Sequence, residues 1–155
     1  MKLSQLLKGV ADYDLHGDDS EKISGLTCDS RKVTHGTLFF ALRGATADGH
    51  RFIPAAVESG AAAVVLEDDA GAPRDIPWVR VADGRAAMAQ VAAEFYGNPT
   101  LELPLVGITG TNGKTTTTYL IEAILAAAGQ PAAVLGTISY RFGATRIEAS
   151  HTTPE

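Results

Sequence analysis

Gly107-Ile108-Thr109-Gly110-Thr111-Asn112-Gly113-Lys114-Thr115-Thr116 decides how this chain is read. A short apolar stretch, Leu103 to Val106, precedes it, and a pattern of helical period follows. Strand, glycine-rich turn and helix in that order make a cradle for phosphate. Glycines let backbone N–H groups converge on anionic oxygens, and the helix N-terminus adds a partial positive charge. Lys114 can then reach terminal phosphates, and the Thr115 hydroxyl can ligate Mg²⁺. The usual pattern G-x-x-x-x-G-K-[ST] has its first glycine where this chain has Ile108; glycines stand instead at 107 and 110. The loop is therefore a variant of the common cradle. Its glycine spacing does not fit the dinucleotide fingerprint G-x-G-x-x-G, and the lysine suits a triphosphate better.

Downstream, the spacing predicts a helix from Lys114 to Ala128, with Leu120, Ile121, Ile124 and Leu125 as its buried face and Gly129 as its cap. Ala132 to Leu135 reads as a second parallel strand. Ile138 to Phe142 and Arg146 to Ala149 read as a hairpin around Gly143-Ala144. Only about two strands of a phosphate-loop sheet are present, against the several an open α/β sheet normally carries. The expectation is a portion of a longer enzyme, ending inside its nucleotide domain.

Upstream, Leu3, Leu6, Leu7 and Val10 predict a short amphipathic helix, followed by a polar loop from Asp12 to Glu21. Strands are expected at Ile23–Cys28, Leu38–Leu42, Ala62–Leu66 and Trp78–Val81, with helices at Phe52–Ser59 and Gly84–Tyr96. Alternating strands and helices imply α/β layering. Gly97-Asn98-Pro99-Thr100 ends a helix, inserts proline and precedes the new unit, so domains are expected at 1–98 and 99–155. The fold class is α/β: a small N-terminal domain, then the start of a P-loop mononucleotide-binding domain.

A formal net charge of −5 leaves no basic footprint for nucleic acid. Cys28 is the only cysteine, so no intrachain disulfide can form and a reducing compartment is expected. No apolar run approaches transmembrane length, and the N-terminus lacks the apolar core of a signal peptide. A cytoplasmic monomer, with no nucleic acid and no membrane insertion, is the expectation.

The remaining motifs carry little alone. Asp29-Ser30-Arg31 reads as a capped turn with an exposed ion pair. The loop from Gly44 to His50 could let a ligand approach closely, though flexibility explains its small residues equally well. Cys28 reads as a packed small residue. His16, His35, His50 and His151 are scattered without metal-ligand spacing.

Taken together, the segments resemble the Mur ligases, ATP-dependent enzymes that add amino acids to the peptidoglycan precursor. The glycine loop is similar to that superfamily's ATP loop. Asp29-Ser30-Arg31, Gly36-Thr37-Leu38-Phe39-Phe40-Ala41-Leu42, Asp48-Gly49-His50-Arg51-Phe52-Ile53 and Gly60-Ala61-Ala62-Ala63-Val64-Val65 resemble the family's N-terminal UDP-binding domain. Gly136-Thr137-Ile138 with Thr152-Thr153-Pro154-Glu155 resembles the branch that uses UDP-N-acetylmuramoyl-dipeptide and a diamino acid, meso-diaminopimelate or L-lysine. The resemblance implies that Cys28, Ser30, Ala45, Thr46 and Ala47 contact the UDP-sugar, and that Thr152 and Thr153 contact its muramoyl-dipeptide end. It implies that Gly110, Thr111, Asn112, Gly113, Lys114, Thr115 and Thr116 hold ATP. Lys114 would serve as the catalytic cation and Thr115 as a Mg²⁺ ligand. Competing expectations are a UDP-sugar-binding module alone, the ligase that adds D-Ala-D-Ala, or a folate polyglutamylase.

Overall fold

The computed structural model describes residues 1–44 and 47–148. They form two compact units, Met1–Pro104 and Leu105–Glu155. The first unit thus runs a few residues past the Gly97–Thr100 punctuation, through a 3₁₀ turn at Pro99–Leu101.

The first unit is a five-stranded sheet covered on both faces. Its strands are β1 (Tyr13–His16), β2 (Gly25–Thr27), β3 (Thr37–Phe40), β4 (Ala61–Leu66) and β5 (Trp78–Val81), in the order β1-β5-β4-β3-β2. β2 to β5 are mutually parallel, and β1 is an antiparallel edge. All four residues of β3 are buried, as expected of a parallel strand covered on both sides. Alternation then sorts its side chains. Leu38 and Phe40 join Ala63, Val65, Val79 and Val81 on one face, under α1 (Leu3–Leu6) and α3 (Gly84–Phe95). Phe39 joins Val64 and Leu66 on the other, against Ile53 and Ala56 of α2 (Ile53–Glu58). The period of two in strands therefore builds two cores from one sheet.

Asp83 starts α3 by accepting the backbone N–H groups of Arg85 and Ala86, each at 3.0 Å. Removing such a cap costs about 1 kcal/mol. Asp83→Ala should lower the unfolding free energy of this unit by that amount, seen as a lower urea midpoint at unchanged slope by circular dichroism.

β1 is a correction to the sequence reading, which placed a polar loop over Tyr13–His16. Its residues are exposed or half-buried, so no apolar run announces it. β5 supplies the pairing: Tyr13 stands opposite Val81 and His16 opposite Trp78. The His16 ring stacks on Trp78 at 3.9 Å, and Arg80 of β5 bridges Asp14 at 2.5 Å and Asp69 at 2.9 Å. An edge strand needs only one partner and can show a polar sequence to solvent.

In the second unit the phosphate-loop helix is α4 (Lys114–Ala127), closed by Gly129 at φ +72°. β6 (Ala133–Leu135), β7 (Ser139–Phe142) and β8 (Thr145–Glu148) form an antiparallel sheet in that order. The hairpin stands where its turn glycine indicated. β6 corrects the expectation of a parallel strand, because its described partner is β7. Leu103 to Val106 forms no strand; Leu105 and Val106 are 71% and 65% exposed, with no described strand pairing beside them. The expected buried face of α4 is also open at Leu120 and Ile124, while Ile121 and Leu125 are half-buried. A three-stranded meander offers too little surface to cover a four-turn helix.

Candidate functional site

Four parallel strands in one register deliver their C-terminal ends to one rim of the first unit, where open α/β sheets bind ligands. β2 ends at Thr27, and Cys28 follows it, half-buried and packed against the α1/α3 core. Ser30 opens the 3₁₀ turn Ser30–Lys32. Asp29 holds that turn: its Oδ1 accepts the Arg31 N–H at 3.1 Å, and the Arg31 guanidinium grips both carboxylate oxygens at 2.9 and 2.8 Å. These hydrogen bonds, the guanidinium's first, pull the Asp29 carboxyl down to about 2. Asp29 therefore organises the turn that carries Ser30.

β3 feeds a tight turn that carries Ala47. Gly44 N–H donates to Ala47 O at 2.9 Å, and Gly49 N–H donates to Leu42 O at 2.8 Å. Gly49 is required by proximity, since a Cβ there would lie 2.5 Å from Leu42 O and 2.7 Å from Leu42 N. Ala45, Thr46, Thr152 and Thr153 lie outside the described residues.

Two rim residues escaped the sequence reading. Glu67, after β4, accepts the Gly84 N–H at 2.9 Å and so ties the start of α3 to the rim. His50 bonds Asp48 on one side and the backbone of Glu67 and Asp68 on the other. The sequence placed Asp48 and His50 in a loop; the partners of His50, 17 and 18 residues further on, become visible only once β4 lies beside β3.

The phosphate loop occupies the second unit. Gly110 and Gly113 take φ of +146° and +77°, backbone that side chains rarely adopt. Residues 109–113 are exposed. Lys114 Nζ donates to Gly110 O at 2.5 Å, curling the ammonium back over the loop. Gly113, at the N-cap of α4, brings no capping side chain, so the first-turn amides remain open to an outside acceptor. A cleft of about 80 Å³ beside the loop is lined by Lys114, Thr115, Thr118, Ser139 and Arg141 among others. This set is rich in ammonium, guanidinium, hydroxyl and amide donors, which suits phosphoryl oxygens. It is too small to enclose a whole nucleotide, for which pockets of about 300 Å³ or more are usual. Thr115 is exposed, and its hydroxyl would offer one oxygen to a cation. The residues present therefore fit a magnesium-bound triphosphate tail.

Residues 22–96 match the family described as Mur ligase family, catalytic domain, and residues 108–155 match the Mur ligase middle domain. The chain belongs to the Mur ligase family. It is 59% identical over all 155 residues to the UDP-N-acetylmuramoyl-L-alanyl-D-glutamate--2,6-diaminopimelate ligase of Geobacter sulfurreducens, and 43% identical to that of Alkaliphilus metalliredigens. The chain spans 30% and 31% of the length of those relatives. Among solved structures, one of a ligase of the same name superposes over the whole chain with a TM-score of 0.77 at 27% identity, the chain covering 31% of it. MurF from Acinetobacter baumannii matches 81% of this chain and 27% of its own, with a TM-score of 0.63 at 31% identity. Among the described residues no helix is long and apolar enough to cross a membrane.

Proposed function

We propose that this chain supplies the UDP-sugar-binding domain and the phosphate loop of an ATP-dependent ligase. That ligase joins diaminopimelate to UDP-N-acetylmuramoyl-L-alanyl-D-glutamate. The observation that carries this reading is the 59% identity, without a break in coverage, to a relative named for that reaction. The donor-rich loop at Gly110–Thr116 and the rim at Cys28, Ser30 and Ala47 supply the two kinds of binding surface it needs.

When bound, MgATP supplies the phosphoryl group that turns the substrate's glutamate carboxylate into an acyl phosphate, which the incoming amine attacks with release of phosphate. The chain's own residues bind and orient. Cys28, Ser30 and the Ala45-Thr46-Ala47 segment hold the UDP-sugar, and Thr152 and Thr153 reach the muramoyl-dipeptide end. Gly110 to Thr116 wrap the phosphates with backbone N–H groups, and the Thr115 hydroxyl ligates Mg²⁺. Lys114, whose ammonium lies over the loop at Gly110 O, would hold the phosphoryl end of the nucleotide and offset its charge, a contribution of position and electrostatics. A cytoplasmic monomer acting on small molecules fits this reading.

Transfer of radiolabelled amino acid by the full-length protein tests it. Diaminopimelate should enter a UDP-linked product only when ATP and the UDP-linked dipeptide are both present. Incorporation of L-lysine in its place would overturn the choice of amino acid, and incorporation of neither would overturn the ligase reading.

A further inference from the structure

His50 is left without a role by the chemistry above, yet it is among the most heavily bonded side chains of the rim. Its ring is 12% exposed. Nε2 accepts two backbone N–H groups, from Glu67 at 3.0 Å and Asp68 at 3.3 Å. A backbone amide can only donate, so Nε2 carries the lone pair and Nδ1 must carry the ring proton. Nδ1–H then donates to Asp48 Oδ1 at 2.6 Å, and the same oxygen accepts the His50 backbone N–H at 3.0 Å. Both bonds hold the Asp48 carboxyl below the usual carboxylate range, keeping it an ionised acceptor. One neutral imidazole thus joins two elements: the turn after β3 and the end of β4. Arg43 adds a second, looser tie, 3.8 Å from Asp48 and 3.2 Å from Asp68. Between these ties stands the described part of the turn, closed by Gly44 on Ala47 and by Gly49 on Leu42.

We propose that His50 is a positioning residue for the UDP end of the substrate, pinning the turn that bears Ala47 to the end of β4. That role rests on the rim being the UDP-sugar site. His50 touches no reacting atom; it fixes where the turn's backbone presents itself. Without the ring, the turn keeps its own closing bonds but loses its register against β4, and two amides of the β4 end lose their acceptor. The consequence falls on capture of the UDP-linked substrate and spares the phosphate loop, which belongs to the other unit.

The test uses full-length protein as wild type, His50→Ala and His50→Gln. Calorimetry reads binding of UDP-N-acetylmuramoyl-dipeptide, and steady-state kinetics read kcat and KM for each substrate. His50→Ala should raise Kd and KM for the UDP-linked substrate about tenfold, as expected when buried donors lose their acceptor. Its kcat and its KM for ATP should stay within about twofold of wild type. Glutamine can place Oε1 where Nε2 stood, so His50→Gln should recover most of the lost affinity. The ring ¹⁵N shifts of the wild type should report a protonated Nδ1 and an unprotonated Nε2. Unchanged UDP-substrate binding in a folded His50→Ala, equal losses in Ala and Gln, or the opposite tautomer would overturn the role. If His50→Ala does not fold, His50→Gln decides, since a tenfold loss there contradicts the acceptor role. A wild-type protein that binds no UDP-linked substrate would instead overturn the reading of the rim, before any variant is compared.

Discussion

Lys114→Ala in the full-length protein should lower ATP-dependent ligation by about 10²–10³-fold or more, the scale seen when one preorganised charge-stabilising group is removed. Binding of the UDP-linked substrate should persist. The separation follows from the two-unit organisation: Lys114 opens α4 in the second unit, and the rim residues Cys28, Ser30 and Ala47 belong to the first. In the structure the Lys114 ammonium donates to a backbone carbonyl of its own loop, Gly110 O, so its removal leaves no partner charge behind. The loss should therefore appear in turnover and not in stability. Single-turnover phosphoryl transfer alongside calorimetry with the UDP-linked dipeptide checks both halves. Wild-type turnover by the variant would mean that the loop does not serve phosphoryl transfer.

Phe39→Ala should have the largest effect on folding. Phe39 is fully buried on interior strand β3, with β2 and β4 on either side, in one buried cluster with Ile53, Ala56, Val64 and Leu66. Deleting a buried phenyl ring costs about 3–5 kcal/mol in lost transfer and residual cavity. That is a large fraction of the roughly 5–15 kcal/mol that holds a domain together. The urea midpoint of the first unit should fall steeply, and UDP-substrate binding should go with it, because the rim hangs from the ends of these strands. An unfolding free energy within about 0.5 kcal/mol of wild type would show that the α2 face is not a packed core.

Much of the first unit was legible in the sequence because its strands are apolar runs buried on both sides. Ala61–Leu66 and Trp78–Val81 could be placed almost to the residue, and α3 begins at the expected Gly84. β1 could not be, since an edge strand takes its structure from the neighbour it pairs with and not from its own composition. The second unit shows the converse. Its apolar residues at Leu105, Val106, Leu120 and Ile124 announce burial, but local pattern cannot supply the surface that buries them, and the described sheet is an antiparallel meander. At the candidate site, the phosphate loop could be found because its chemistry is written in consecutive residues. At the rim, only resemblance pointed to Ser30 and Ala47, and nothing local pointed to the bonds of His50 and Glu67, since these residues follow three different strands that the sheet sets side by side.

Trp78 is the only tryptophan in the sequence, and it lies on β5 under the ring of His16. Its fluorescence is therefore a built-in optical reporter of the first unit alone. The unpairing of β1 from β5 separates the two rings and changes the emission, whereas the fraying of α4 or of the β6–β8 meander leaves the indole's own surroundings intact. A chain of two units has no single well-defined melting point when they unfold separately. Following indole emission beside backbone circular dichroism resolves the two transitions in one sample, with no label attached.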